Sequence, residues 1–392
     1  MLVRDWPPGS PRILVSDAWL ANAGDAAIAL ATQQRLKRLV PDAAVLHAAY
    51  QGDILAEHYS QLALVPPLAG LLGVTPAIPE LNGWDAAAGE RVVREADVVL
   101  CQGGGYAMEH YDQWERVRAW ELVVERRLPI GFGAQTVGPF NRERERSILA
   151  TVYGAASVIA LRESQSVRHV LELGARAEQL LVTADEAFSL FTPTPMPAEC
   201  RGIACVLSRD PQLLANGVLA DTDRSVDSLA RLVAALVRLS DGEGVTMLST
   251  FQGLGGLGRG LEDDSEVAAE VVEALPRAIA SQIRPTTGYL TPGRCAGVIA
   301  SHRMLVTTRM HPAIFAIALG VPTLLVSQAY KATSMFRTLG LVQAIVDRLD
   351  PPSIEARLSR SAARPAPANA ATARERAAWN DAVVQRLLAS VG

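Results

Sequence analysis

No stretch of the sequence reaches the roughly 18–20 apolar residues that a membrane-crossing helix requires. The amino terminus MLVRDWPPGSPRILVSD also lacks a cationic-then-apolar leader. The expectation is a cytoplasmic protein with no transmembrane segment; peripheral association with the inner face of the membrane stays open. Cysteine is scarce. Cys101, Cys200, Cys205 and Cys295 are scattered with no C-x-x-C pair, which excludes a disulfide framework and a zinc knuckle and leaves reduced thiols. No Lys/Arg run stands out, and a net charge of −4 with a pI near 5.9 gives no basic field for nucleic acid. His47, His58, His110, His169 and His302 show no ligand spacing with carboxylates or cysteines, so no metal site is expected.

What is present is the mixture of a compact protein: 49% hydrophobic and 20% charged residues in a chain of 392. That length exceeds one ordinary core and suggests two domains. Short β-branched runs alternate with amphipathic patterns, the signature of parallel sheets crossed over by helices. In the first half strands are expected at Arg12–Asp17, Ala44–Tyr50, Val98–Gln102, Pro129–Ala134, Val158–Leu161 and Leu180–Thr183, with helices at Asp25–Leu39 and Trp114–Arg126. Phe191–Gly202 holds three prolines within five residues and reads as a linker. A second alternation follows, with strands at Ile203–Leu207, Val245–Ser249, Leu305–Thr308 and Thr323–Val326 and helices at Ser225–Leu239, Ser265–Ala274 and Pro312–Leu319. The expected α/β fold is two Rossmann-like domains, residues 1–195 and 200–350, facing across a cleft in the glycosyltransferase-B manner. Residues 351–392 form a Pro/Ala/Ser/Arg-rich connector and a terminal helix over Arg374–Leu388.

The most informative stretch is Met304–Pro322. A buried strand ends at Thr308, and Pro312 suits the first helical position, where a missing N–H costs nothing. Arg309 and His311 therefore fall between a strand's carboxyl end and a helix's amino end, where open α/β sheets bind ligands and helix N–H groups favour anions. The next strand end brings Tyr330 and Lys331, the lysine a point charge for phosphate. In the first half, Asn22-Ala23-Gly24-Asp25 opens a long helix with capping residues, Gly103-Gly104-Gly105 follows the strand VVLCQ, and GAQTVGP presents Gln135. All three fall at one edge of the same predicted sheet.

Two tempting signals are set aside. Gly253–Gly258 spells G-x-G-x-x-G, but further loop intervenes before the next helix and no acidic residue ends the following strand. Asp221-Thr222-Asp223 mimics a metal-binding D-x-D but reads as a polar loop with a helix cap.

Taken in order from Ile13 to Gly340, NAGD, GGG, GAQTVGP, TTRMHPAI and YK resemble the motifs of the polysaccharide pyruvyltransferase family. Arg162-Glu163-Ser164 resembles the family's R-D/E-x-S element, and Arg209 the arginine ending the first strand of the second domain. The sequence has Ala21 before Asn22 where the family often has glycine. The resemblance implies phosphoenolpyruvate as donor, with no cofactor besides, and a sugar of a cell-surface glycan or its lipid-linked precursor as acceptor. Arg209, Arg309, Tyr330 and Lys331 would then hold the donor and His311 would move a proton. Asn22, Asp25, Gly103, Gly104, Gly105, Gln135 and Arg162 would face the acceptor. A glycosyltransferase using a nucleotide sugar and a non-catalytic sugar-binding protein of the same fold remain as alternatives.

Overall fold

The computed structural model describes residues 3, 5–74, 86–109, 114–193, 200–209, 222–253, 263–327, 330–346, 356 and 367–391. The chain divides into two compact units. The first comprises residues 1–20, 25–186 and 375–392; the second comprises 21–24 and 187–374. Two short pieces thus join the unit opposite to the one their position in the chain suggests.

In the first unit the strands are β1 (Arg12–Trp19), β2 (Ala44–Tyr50), β3 (Leu64–Val65), β4 (Val98–Cys101), β5 (Gly104–Ala107), β6 (Ile130–Val137), β7 (Val158–Leu161) and β8 (Leu180–Val182). Among the described residues they form one sheet in the order β3-β2-β1-β4-β6-β7-β8, with β5 added beside β6, every pair parallel. β4, β6 and β7 are buried along their whole length, as strands covered on both faces must be, which is why they read as continuous apolar runs. The terminal helix Asp381–Ala389 sets Val383, Val384 and Leu387 among Ile13, Val15, Val98 and Val158 of this sheet. Buried Arg35 secures it, donating to Asp381 Oδ1 at 2.9 Å and to the Ala377 carbonyl at 2.8 Å and pairing with Glu186.

The second unit repeats the plan with β9 (Ile203–Val206), β10 (Val245–Met247), β11 (Ile283–Pro285), β12 (Met304–Thr307), β13 (Thr323–Val326) and β14 (Ile345–Val346). Their order is β11-β10-β9-β12-β13-β14, again parallel throughout. Its core joins Ile203, Cys205, Val245, Val306 and Leu324 to Leu229, Leu232, Val233 and Leu236 of the helix Thr222–Leu239.

Both sheets reverse direction beside their first strand, between β1 and β4 and between β9 and β12. At such a switch point the flanking loops part and leave room for a ligand outside the strands' carboxyl ends. The expected linker core, 194–199, lies outside the described residues, as do His110, most of the G-x-G-x-x-G stretch and Asp221 of the D-x-D. Thr222 is already the first residue of its helix.

Candidate functional site

At the second unit's switch point, β9 and β12 are pinned together just beyond their ladders. Thr308 N donates to the Val206 carbonyl at 2.9 Å, and Ser208 N donates to Thr308 Oγ1 at 2.8 Å. Arg209 and Arg309 follow, three residues past the end of β9 and two past the end of β12, on neighbouring strands a hundred positions apart in sequence. Arg309 is the N-cap of the helix Met310–Leu319, its backbone held by Thr307 Oγ1, which accepts from Arg309 N at 2.9 Å and donates to Arg309 O at 3.0 Å. The helix thus begins two residues earlier than the sequence suggests. Pro312 falls at its third position, still within the turn that needs no N–H, and His311 lies inside the first turn instead of before it. The almost wholly apolar helix is buried beyond that turn, which fixes its amino end against the sheet edge.

Each arginine meets a carboxylate of the helix Asp264–Glu273. Arg309 Nε donates to Asp264 Oδ1 at 2.6 Å, and Arg209 pairs with Glu270. The Asp264 side chain is fully buried, whereas Arg309 keeps 19% of its side chain exposed. Burial pushes the Asp264 carboxyl above the ordinary aspartate range, although Arg309 and the donors of Thr250 pull the other way. The Arg309 guanidinium also lies 5.4 Å from the Phe251 ring centre. Lys331 is the second residue of the helix Tyr330–Thr338 and is half-buried; the Tyr330 side chain lies outside the described residues.

Asn22 belongs to this unit and not to the first. Its side chain caps the helix Ala23–Leu39, Oδ1 accepting from Gly24 N at 2.8 Å. Its loop pairs with the end of β10: Ala23 N donates to the Thr250 carbonyl at 2.8 Å, and Asn22 bridges Phe251. Gly24 packs on His311 so closely that a Cβ there would run into the imidazole. Glycine is required at this position by a neighbour and not by its backbone angles.

The first unit's switch point has a different chemistry. Gly103 needs glycine because a Cβ would lie 2.8 Å from the Ala134 carbonyl oxygen. The close approach that the glycines suggest is therefore, at Gly103, to the neighbouring strand. Gly104 and Gly105 do not end a strand but begin β5. Gln135, fully buried, donates from Nε2 to the Gln102 carbonyl at 3.2 Å and to Tyr106 Oη at 3.1 Å, and Tyr106 in turn donates to the Gln102 carbonyl. Gln102 Nε2 donates to the Asp25 carbonyl at 2.9 Å. Arg116 lies 4.2 Å from the centre of the Tyr106 ring and 3.7 Å from Asp17 Oδ2, which also accepts from Trp120 Nε1 at 3.1 Å and Ser16 Oγ at 2.8 Å. Burial works against the Arg116 charge, but Asp17 and then Tyr50, Tyr106 and Asp25 outweigh it and hold the guanidinium ionised. Asp17 Oδ1, Gln102 Oε1 and Gln135 Oε1 are buried acceptors that meet no hydrogen-bond donor among the described residues. Asp17 also holds φ at 74°, a left-handed conformation uncommon outside glycine and concentrated at functional positions.

Arg162 stands apart from this group. Its side chain is fully buried, donating from Nε to Thr136 Oγ1 at 2.7 Å and pairing through Nη1 with Asp185 at 2.6 Å. It ties β7 to its neighbours. Its companion Glu163 accepts from Gln165 N at 2.7 Å and Ser166 N at 3.2 Å, capping the helix Gln165–Glu172.

The reading from residues missed Asp17, Gln102, Tyr106, Arg116 and Asp264. Asp264 alone left a signal, the Asp-Asp-Ser that opens its helix; Arg116 sits in an amphipathic helix and reads as a solvated charge. Among the described residues no group of His, Cys, Asp and Glu is placed to hold a metal ion, and no helix is long and apolar enough to cross a membrane.

Comparison with known proteins agrees with this arrangement. AmsJ of Erwinia amylovora, an amylovoran biosynthesis protein, is 22% identical over 270 residues, 65% of this chain; the match spans 62% of AmsJ's own length. UDP-GlcNAc 2-epimerase of Neisseria meningitidis, solved with UDP-GlcNAc, shares the fold at a TM-score of 0.61 and 9% identity, over 97% of this chain and 100% of its own. Anabaena HepE, solved with UDP-glucose, does so at 0.56 and 14%, over 96% and 97%. The architecture is thus the glycosyltransferase-B-like pairing of two Rossmann-like domains. The family profile described as polysaccharide pyruvyl transferase matches residues 22–330, which include Asn22, the second unit's switch point and the arginine–histidine helix start: the chain belongs to the polysaccharide pyruvyl transferase family.

Proposed function

We propose that this protein transfers the pyruvyl group of phosphoenolpyruvate to hydroxyls of a sugar in a cell-surface glycan or its lipid-linked precursor, holding the donor on the second unit and the acceptor on the first. The observation that carries the reading is that Arg209 and Arg309, past the ends of neighbouring strands at the second switch point, meet the same helix Asp264–Glu273, with His311 in the first turn of the helix that Arg309 caps. Arginine offers a planar fork to phosphate and carboxylate, and the helix start adds N–H groups and the positive end of its dipole. Lys331 adds a point charge. Phosphoenolpyruvate carries both anionic groups.

In this chemistry the donor's C3 takes a proton, which makes C2 electrophilic. A sugar hydroxyl adds to C2 and gives up its proton, and the C2–O bond to phosphate breaks. A second hydroxyl of the same sugar then adds to C2 with loss of its proton, leaving a cyclic ketal and free phosphate. His311 serves as the proton donor, to C3 or to the departing phosphate. The arginines stabilise the charge that collects on phosphate as it leaves. No cofactor enters these steps.

The first unit contributes amides, backbone groups and carboxylates suited to hydroxyls. Gln135, Asp25 and the backbone of Gly103–Gly105 keep their proposed roles, and Gln102, Tyr106 and the Asp17–Arg116 pair join them. Asn22 leaves the acceptor set because it belongs to the other unit, and Arg162 because its guanidinium is committed to Thr136 and Asp185. The first unit would hold the acceptor in the cytoplasm, at the inner face of the membrane when that acceptor is lipid-linked.

The test is incubation with phosphoenolpyruvate and a panel of glycan acceptors, following phosphate release and the mass gain of a pyruvate ketal. Ketal formation supports the reading. Isothermal titration showing tight binding of UDP-glucose and none of phosphoenolpyruvate would replace it with a nucleotide-sugar transferase, the ligand class named with both fold relatives.

A further inference from the structure

We infer that Asp264 is the positioning residue of the arginine–histidine site, orienting Arg309 directly and His311 through the loop Ala21–Gly24. The inference rests on the reading of the second unit as the donor side, and it concerns a residue that touches neither substrate nor reacting atom.

The case is a closed circuit of contacts within one unit. Asp264 Oδ1 accepts from Arg309 Nε at 2.6 Å. Its Oδ2 accepts from Thr250 N and Thr250 Oγ1, both at 2.9 Å, and from Phe251 N at 3.0 Å. Four donors thus converge on this one carboxylate, three of them on Oδ2. The segment it holds, Thr250–Gln252, carries the next links. Ala23 N donates to the Thr250 carbonyl at 2.8 Å, Gln252 N donates to the Ala21 carbonyl at 3.3 Å, and Asn22 and Phe251 form an antiparallel bridge. Asn22 Oδ1 then takes Gly24 N at 2.8 Å, and Gly24 lies against His311, two residues from Arg309. Starting from either end, the chain of contacts returns to the same helix turn.

The residue types leave little latitude. A neutral isostere at 264 would turn an N–H toward a site where every neighbour is itself a donor. An apolar residue would strand Arg309 and three donors of residues 250 and 251 together. Either change releases the guanidinium plane and slackens the loop that limits the imidazole. Simple space-filling predicts neither effect on ligand affinity.

The experiment measures steady-state kinetics and thermal melts on Asp264→Asn, Thr250→Val, Gly24→Ala and the double variant Asp264→Asn/Arg309→Lys, with titration of phosphoenolpyruvate and UDP-glucose into each. Asp264→Asn should raise KM for phosphoenolpyruvate by roughly tenfold or more, as expected for losing a hydrogen bond to a charged group. It should add little to Arg309→Lys, since the two changes break one interaction. Thr250→Val, which removes a single donor, should shift KM in the same direction by less. Gly24→Ala should lower kcat with KM nearly unchanged. A lowered melting temperature with unaltered KM in Asp264→Asn, or full additivity in the double variant, would overturn the inference. If Asp264→Asn does not fold, unchanged kinetics in both Thr250→Val and Gly24→Ala would overturn it equally. Should the unaltered protein bind UDP-glucose and not phosphoenolpyruvate, the pyruvyl reading fails while the positioning claim is judged on UDP-glucose affinity in the same variants. Binding of neither compound sinks both.

Discussion

Two ion pairs of the same chemistry, one in each unit, have opposite fates. Arg162–Asp185 and Arg309–Asp264 both join an arginine just past a strand to a buried aspartate at 2.6 Å. In the first pair both side chains are 0% exposed; in the second the aspartate is sealed while the arginine keeps 19% of its surface. A fully enclosed pair has no face left for a ligand and serves only to hold strands in place. A pair closed on the carboxylate side alone turns its carboxylate into a brace and its arginine into a presented group.

The two switch points differ in the same sense. The second collects cationic side chains braced by carboxylates, and the first collects amides, a phenol and a charge-balanced Asp17–Arg116 pair. If that contrast reflects donor and acceptor, removing groups from each should fail in its own way.

The largest effect is expected at His311. His311→Gln should lower turnover by roughly 10²–10⁴, the span for loss of a general acid or base, and leave phosphoenolpyruvate binding within a few-fold. Steady-state kinetics beside thermal melts decide it; near-normal turnover with a lowered melting temperature would make His311 a packing residue.

Next comes Arg162→Met, which should destabilise the protein by roughly 3–5 kcal/mol in urea unfolding because buried Asp185 loses its ion-pair partner. Arg309→Lys supplies the contrast. It should barely move stability and weaken phosphoenolpyruvate binding by roughly 1–3 kcal/mol in titration, since lysine keeps the charge without the fork. If the two variants exchanged their signatures, the distinction between sealed and presented pairs would be wrong.

Gln135→Leu removes the donor to Gln102 and Tyr106. It should raise the acceptor KM by a factor matching roughly 0.5–1.5 kcal/mol per lost hydrogen bond while the donor KM stays constant. A change confined to the donor KM would reverse the assignment of the units.

The smallest effect is on stability against pH and belongs to the first unit. His47 on β2 is fully buried with Gln33 Oε1 2.9 Å from its Nε2, and burial lowers its pKa from 6.5 to about 3. The unfolded chain therefore binds a proton between those values that the folded chain refuses. Stability should fall as pH drops from 6.5, by on the order of 1 kcal/mol per pH unit. Urea unfolding of His47→Gln at pH 7 and pH 5 should show that part of the slope gone.

Much of the fold is legible in the residues because buried parallel strands and amphipathic helices write their periods directly. Ala44–Tyr50, Val158–Leu161 and Thr323–Val326 appear with the bounds the apolar runs suggest. The short strands Leu64–Val65, Gly104–Ala107 and Ile345–Val346 do not, since two residues, or four that begin with two glycines, carry no apolar run and pair only because a longer neighbour offers its edge.

At the site, the sequence alone determined that a strand gives way to a helix around Arg309 and His311, because Pro312 and the apolar run after it are local signals. Tertiary structure decided the rest. It set the strand order that brings Arg209 and Arg309 to one end of neighbouring strands, moved Asn22 into the second unit, sealed Arg162 against Asp185, and brought Asp264, forty-five positions away, onto Arg309. Those outcomes depend on which distant backbone groups compete for the same buried carboxylate or the same sheet edge, and a local pattern of residue types carries no record of that competition.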